Sequence, residues 1–336
     1  MGNPIVLIVN GSSLDLIESH IEWLRQQEVT VVAASGFKQM TQEEFERQIG
    51  QADAVIGPPA ARVTLSADLM AAHPRLKVIS LASSGYEWVD IEAATRLGIV
   101  VTFANTPSLS EVVADHTWGL LLAAARQIPH HHRRLQAGDA TRGMGAMVWG
   151  RTLGIVGLGN IGRRVARRAT GFGMTVIAAE IAPDFDYMRQ HNIELVSLPE
   201  LMAKADFVSI HTRLNPSTYH LIGAPEIARM KPSAFLINTA RQKIVDEAAL
   251  TVAILEGRIA GAAIDDPPED PHSPLLQHPN VVFTPHIGNR VPESNDDVCR
   301  CAYNNVLAVL QGRRPDPKYL LNPEVYACGL RAAIGR

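Results

Sequence analysis

The stretch Leu153-Gly154-Ile155-Val156 runs without a break into Gly157-Leu158-Gly159-Asn160-Ile161-Gly162 and on into the helix-period residues Arg163 to Thr170. This constrains the fold more tightly than anything else in the chain. The first glycine lets a strand turn sharply, the second lets a pyrophosphate approach the backbone, and the third lets the helix close on the strand. The helix N-terminus then faces the phosphates. After the next strand candidate, Thr175 to Ala179, an acid arrives at Glu180, eighteen positions beyond Gly162 and near the spacing at which a carboxylate meets a ribose. A carboxylate there accepts hydrogen bonds from ribose hydroxyls and repels a 2′-phosphate, which favours NAD over NADP.

The turn sits inside a longer βα series. Further strands are predicted at Asp206 to Ile210, Ala234 to Ile237, Ile259 to Ile264 and Val281 to Phe283, making six with the first two and enough for a doubly wound sheet. The first hundred residues alternate in the same way. Ile5 to Val9, Val29 to Ala33, Ala54 to Gly57, Val78 to Leu81 and Val100 to Phe103 are short and rich in β-branched residues, as strands covered on both faces are. In the first intervening helix Leu14, Ile17, Ile21 and Leu24 share one face, with Glu18, Glu22, Arg25 and Gln26 mostly on the other.

A length of 336 residues suits two such domains. The expected fold class is α/β, two doubly wound parallel-sheet domains, with a Rossmann cofactor domain at residues 104–289 inserted into a flavodoxin-like substrate domain at 1–103 and 290–336. Ser110 to Arg126 is predicted as a long apolar helix, Pro129 to Gly150 as a polar loop or arm, and Glu293 to Leu310 as a helix that crosses back to the first domain. The run His130-His131-His132 beside Arg133 and Arg134 reads as a solvated arm, since no carboxylate or Cys stands at ligand spacing; no metal is expected. Trp88 and Trp118 read as packing residues.

Composition removes other classes. With 46% hydrophobic and 19% charged residues and a net charge of −3, the chain can build cores but carries no overall basic field, so neither nucleic acid nor a membrane surface is an expected partner. Three cysteines, all after position 298, are too few for a disulfide framework. No basic segment precedes the first apolar run and no uncharged stretch is long enough to span a bilayer. A cytoplasmic setting is the expectation.

Three strands of the second series end in polar residues. Phe235-Leu236-Ile237-Asn238-Thr239-Ala240-Arg241 ends in an arginine, Gly261 to Ile264 runs into Asp265-Asp266-Pro267-Pro268-Glu269-Asp270-Pro271, and Val281-Val282-Phe283-Thr284-Pro285-His286 ends in a histidine. Chemistry in open α/β sheets collects at the carboxyl ends of strands, so these residues are expected to converge. Together with the glycine turn they resemble the D-isomer-specific 2-hydroxyacid dehydrogenases, in a likeness that runs from the Ser84-Gly85 loop to Gly312.

The resemblance implies a set of roles. His286 matches the histidine that exchanges a proton with the substrate, and Arg241 the arginine that holds its carboxylate and polarises its carbonyl. Asp270 falls where the family has a Glu before Pro, the carboxylate that pairs with the histidine. Being one methylene shorter, it leaves open whether Asp270 or the neighbouring Glu269 takes that role. Ser84 and Gly85 match the loop whose N–H groups bind the substrate carboxylate. The cofactor set is Gly157, Gly159, Asn160, Ile161, Gly162, Glu180, His211, Thr239 and Asp265, the last matching the acid that holds the nicotinamide carboxamide. The implied activity is hydride transfer between NAD(H) and a small unphosphorylated 2-hydroxy or 2-keto acid by a homodimer.

Departures narrow the substrate. Pro58 replaces the arginine that meets phosphate in phosphoglycerate dehydrogenases of the family, Ser84 replaces the lysine of phosphite-oxidising members, and an acid rather than Gln pairs with the histidine, unlike formate dehydrogenases. Arg213 replaces a proline near the adenosine end of the cofactor, where a cation could accommodate NADP. Gln242 replaces the glycine after the arginine, and the side chains of Tyr86 to Trp88 and Arg62 to Leu65 are expected to shape the site. Two alternatives stay open at this point, an NAD(H)-sensing corepressor-like binding protein and a phosphoglycerate dehydrogenase-like enzyme.

Overall fold

The computed structural model describes residues 2–9, 18–33, 41–57 and 64–330. They divide into two compact units, 1–109 with 289–336 and 110–288. The first boundary lies six residues beyond the expected 103, three residues into a helix spanning Pro107–Ala125, and the second lies one residue before the expected 289.

In the first unit five strands, β1 (Ile5–Ile8), β2 (Thr30–Ala33), β3 (Ala54–Ile56), β4 (Val78–Leu81) and β5 (Val100–Phe103), pair in parallel in the order β2-β1-β3-β4-β5. This is the flavodoxin-like order. Every residue of β3, β4 and β5 is buried, which is why these strands read as unbroken apolar runs rather than as an alternation. Ile21 and Leu24 of the helix Glu18–Arg25 are buried, while Leu14 and Ile17 of the same expected face lie outside the described residues, as do Pro58 and Arg62. The helix Pro292–Leu310 packs on β3, β4 and β5 within this unit.

The second unit holds seven parallel strands, β6 (Thr152–Val156), β7 (Thr175–Ala179), β8 (Ile193–Leu195), β9 (Phe207–Ile210), β10 (Phe235–Asn238), β11 (Gly261–Ile264) and β12 (Val281–Phe283), in the order β12-β11-β10-β9-β6-β7-β8. Six were expected; the seventh, β8, is a three-residue edge strand paired only with β7. Both faces of the sheet are covered. Along β10, Phe235 and Ile237 enter one core with Leu153, Ile155, Trp118 and Leu121, while Leu236 enters the opposite core with Val156, Val208, Leu250 and Ala262. Trp118 is a packing residue, its ring stacked on Phe172 with centroids 4.6 Å apart.

Two elements correct the sequence reading. Residues Ile128–Gln136 are a helix, where a loop was expected; Pro129 at its start and Arg133 and Arg134 in its last turn suit helix ends, and a residue run without an apolar stripe hid it. The long helix begins at Pro107, three residues earlier than expected. Among the described residues no helix is long and apolar enough to cross a membrane, and no cluster of His, Cys, Asp or Glu could hold a metal ion.

Candidate active site

The strand order of the second unit reverses between β6 and β9, and in such sheets ligands meet the carboxyl ends of the strands at that point. Gly157, immediately after β6, adopts φ +91°, and its N–H donates to the Ala179 carbonyl at 2.9 Å. A Cβ there would lie 2.8 Å from the Thr212 nitrogen. A Cβ on Gly162 would lie 2.2 Å from the Gly157 carbonyl oxygen, so the helix Asn160–Ala169 can sit against the turn only because that residue is glycine. Gly159 differs: a Cβ built on it meets nothing within 4 Å. This open cradle lies at the N-terminus of a helix with no side-chain cap, and it fits the pyrophosphate of a dinucleotide.

Glu180, the residue after β7, reaches this turn. Its Oε2 accepts the Leu158 N–H at 2.6 Å and its Oε1 accepts the Ala182 N–H at 3.0 Å. On the other side of the reversal His211 follows β9, its Nε2 2.8 Å from the Ser209 hydroxyl. Burial pulls this imidazole down to about 3, so it is neutral at physiological pH. Thr239 follows β10, its hydroxyl 2.8 Å from that of Thr117. The backbone N–H groups of Asn160 and Ile161 lie in the first turn of the glycine-loop helix.

The last three strands carry the ionisable groups. At the end of β10, the buried Asn238 accepts the Ala240 N–H and donates to the Arg241 carbonyl at 2.8 Å, fixing the turn from which Arg241 projects. The Arg241 guanidinium donates to the Ala240 carbonyl at 2.7 Å. After β12, His286 sits at φ +56°, a left-handed backbone uncommon for a residue with a Cβ. Asp265, the first residue after β11, holds that conformation. Its Oδ1 accepts the Ile287 N–H at 2.9 Å and the Thr284 hydroxyl at 2.6 Å, and its Oδ2 accepts the Gly288 N–H at 2.8 Å. His116 Nε2 lies 3.3 Å from Asp265 Oδ1 and 3.1 Å from Thr284 Oγ1. Burial raises the Asp265 pKa, but the hydrogen bonds from His116, Thr284 and Ile287 outweigh it and hold the carboxyl below its usual value.

The carboxylate beside the histidine ring is neither of those expected. Asp266 Oδ1 lies 2.8 Å from His286 Nδ1, and Asp266 Oδ2 accepts the Gln242 N–H at 2.9 Å. Asp270 instead accepts the His272 N–H at 2.8 Å and closes a local turn, while Glu269 pairs with Lys243 and its N–H donates to Glu247. Strand register gives the reason. Ile264 of β11 lies opposite Phe283 of β12, so two residues past the one and three past the other bring Asp266 level with His286. Asp270 is four residues further on, beyond Pro267 and Pro268.

In the first unit, Ser84 and Gly85 follow β4 in a loop where the Ser83 hydroxyl donates to the Gly85 carbonyl at 2.9 Å. Tyr86 packs edge-on against Phe103, and Trp88 packs against the core. Arg213 lies three residues past the end of β9, its carbonyl accepting the Thr218 hydroxyl at 2.5 Å. Sequence reasoning missed Asp266, His116 and the backbone role of Gln242. A doublet of acids at a strand end was the visible sign of the first, and a histidine beside Asp115 on the long helix that of the second.

Residues 118–288 match the family model of the D-isomer specific 2-hydroxyacid dehydrogenase, NAD binding domain. A glyoxylate reductase from Korarchaeum cryptofilum is 39% identical over 271 residues, covering 78% of this chain and 80% of its own length. A D-3-phosphoglycerate dehydrogenase from Methanocaldococcus jannaschii is 39% identical over 281 residues, 81% of this chain and 52% of its own. Among solved structures, the TT0316 protein from Thermus thermophilus superposes with a TM-score of 0.83 at 35% identity, over 94% of this chain and 99% of its own.

Proposed function

Because this chain belongs to the D-isomer-specific 2-hydroxyacid dehydrogenases, we propose that it reduces a small, unphosphorylated 2-keto acid, with glyoxylate as the first candidate. The observation that carries the reading is the row of strand ends in the second unit. A glycine turn with an open cradle, an arginine held by Asn238 and a histidine held by Asp265 all lie on the carboxyl edge of one sheet. Glyoxylate comes first because it is the substrate named for the relative from Korarchaeum.

Residues 118–288 form the NAD-binding domain of the family. NADH, when bound, supplies the hydride and leaves as NAD⁺. Gly159 leaves room for the pyrophosphate, and the Asn160 and Ile161 N–H groups face it. Glu180 takes the ribose hydroxyls and excludes a 2′-phosphate. Thr239 and the neutral His211 border the cofactor without adding charge. Arg241 holds the substrate carboxylate with its planar fork, and Ser84 and Gly85 offer backbone N–H groups to the same kind of anion. His286 gives its proton to the carbonyl oxygen as the carbonyl carbon gains the hydride, so the keto acid leaves as the hydroxy acid.

The second unit also exposes Met144, Met147 and Trp149, all more than half accessible. We propose that this segment, with three large exposed apolar side chains within residues 144–149, buries itself against a second copy in a homodimer.

The test of the activity is NADH oxidation by the whole protein with glyoxylate, pyruvate, hydroxypyruvate and 3-phosphohydroxypyruvate. Turnover of at least one unphosphorylated acid, and a far lower kcat/KM for the phosphorylated one, is the expected result. Turnover of the phosphorylated acid alone overturns the substrate class, and tight NADH binding with no turnover of any acid points to the cofactor-sensing alternative.

A further inference from the structure

We propose that Asp266 is the residue that orients His286, in place of the carboxylate at position 270, and that it ties the histidine to the arginine's turn. The proposal rests on the reading of His286 as proton donor.

The carboxylate spans two elements. Its Oδ1 meets His286 Nδ1 at 2.8 Å and its Oδ2 takes the Gln242 N–H at 2.9 Å, next in the chain to Arg241. An ionised carboxylate only accepts, so Nδ1 keeps its hydrogen and Nε2 is the nitrogen that exchanges a proton with substrate. The Asp266 side chain is 18% exposed, against 42% for the imidazole, so this hydrogen bond is made in a partly desolvated setting where it counts for more than on the open surface. Asp265 and Asp266 thereby divide the work: the first fixes the backbone of the turn through Ile287 and Gly288, the second fixes the ring.

Other ionisable groups border this turn without taking that place. His116 and Asp265 face each other and Thr284. Arg241 is turned toward the Ala240 carbonyl. Lys243, Glu269 and Glu247 form their own cluster beyond Gln242, with Gln242 Nε2 donating to Glu247 at 2.6 Å. Glu247, which accepts the Glu269 backbone N–H, ties the 266–270 loop down through a contact that does not use the Glu269 side chain.

The experiment compares Asp266→Asn, Asp270→Asn and Glu269→Gln in the full protein, reading kcat and KM for keto-acid reduction across pH together with the Kd for NADH. Asp266→Asn keeps an acceptor but removes the charge. Its kcat is expected to fall roughly ten- to a hundredfold, with NADH affinity unchanged. Asp266→Glu, which returns the carboxylate, should restore most of the rate. The variants at 269 and 270 should keep the wild-type kcat at every pH. Wild-type kcat in Asp266→Asn, or the same fall in Asp270→Asn, overturns the proposal, and the second arm stands even if the 266 variant does not fold. Undiminished turnover in His286→Ala would instead remove the reading beneath it.

Discussion

Two glycines of the same turn, Gly159 and Gly162, should respond to alanine in opposite ways. At Gly162 the added Cβ would stand 2.2 Å from the Gly157 carbonyl oxygen, where ordinary contact begins near 3.4 Å. The obstacle is backbone on a turn pinned by the Gly157 to Ala179 hydrogen bond, so it cannot swing aside. The cost belongs at the upper end of the overpacking range, about 3 kcal/mol, which for a unit of this size lowers Tm by roughly 6–12 °C. At Gly159 the backbone is extended, φ −79° and ψ −157°, which alanine adopts freely, and the Cβ meets nothing. Only the poorer N-cap costs stability there, about 0.5–1 kcal/mol. The methyl group nevertheless fills the space a pyrophosphate requires, so the Kd for NADH should rise by about tenfold or more, equal to roughly 1.4 kcal/mol. Thermal unfolding without cofactor and NADH fluorescence titration read the two effects separately. Wild-type NADH affinity in Gly159→Ala, or wild-type unfolding in Gly162→Ala, would refute the reasoning.

Two further outcomes follow from the same geometry. Asp265 is held below its usual 3.8 by His116, Thr284 and Ile287 despite its burial, so its charged form stabilises the native state above the unfolded-state pKa and that stabilisation is lost as pH falls through the lowered native value. Asp265→Asn should therefore be about 2–3 kcal/mol less stable than wild type in urea at neutral pH, with the gap closing below about pH 4; a gap that stays constant into strong acid contradicts this. Trp149→Asp should shift a sedimenting dimer toward monomer, and a wild-type protein that is monomeric at micromolar concentration contradicts the dimer proposed for that surface.

The parts of the molecule legible in its sequence are those governed by local rules. Buried strands such as Val78–Leu81 announce themselves as apolar runs, and Gly157 and Gly162 each answer a backbone requirement that no other residue meets as well, while Gly159 leaves space open beside the helix N-terminus. Arg241 and His286 stand out in the sequence as candidates because each lies just past the carboxyl end of a strand. What escaped depends on partners distant in the chain. The strand Ile193–Leu195 is too short to show a period and carries an exposed Glu194 at its centre. The helix Ile128–Gln136 has no buried face, so the apolar stripe that identifies a helix is missing. The choice among Asp266, Glu269 and Asp270 turns on the register of β11 against β12 and on where Glu247 holds the backbone of the intervening loop. Spacing to the following proline favoured Asp270, and the register places Asp266 instead.

The most direct measurement is a single turnover of glyoxylate by His286→Ala with NADH already bound. If the imidazole is the proton donor, the rate falls by about two to four orders of magnitude while the Kd for NADH stays within about twofold of wild type. A rate close to wild type would contradict the assignment of His286, and with it the chemistry proposed for this edge of the sheet.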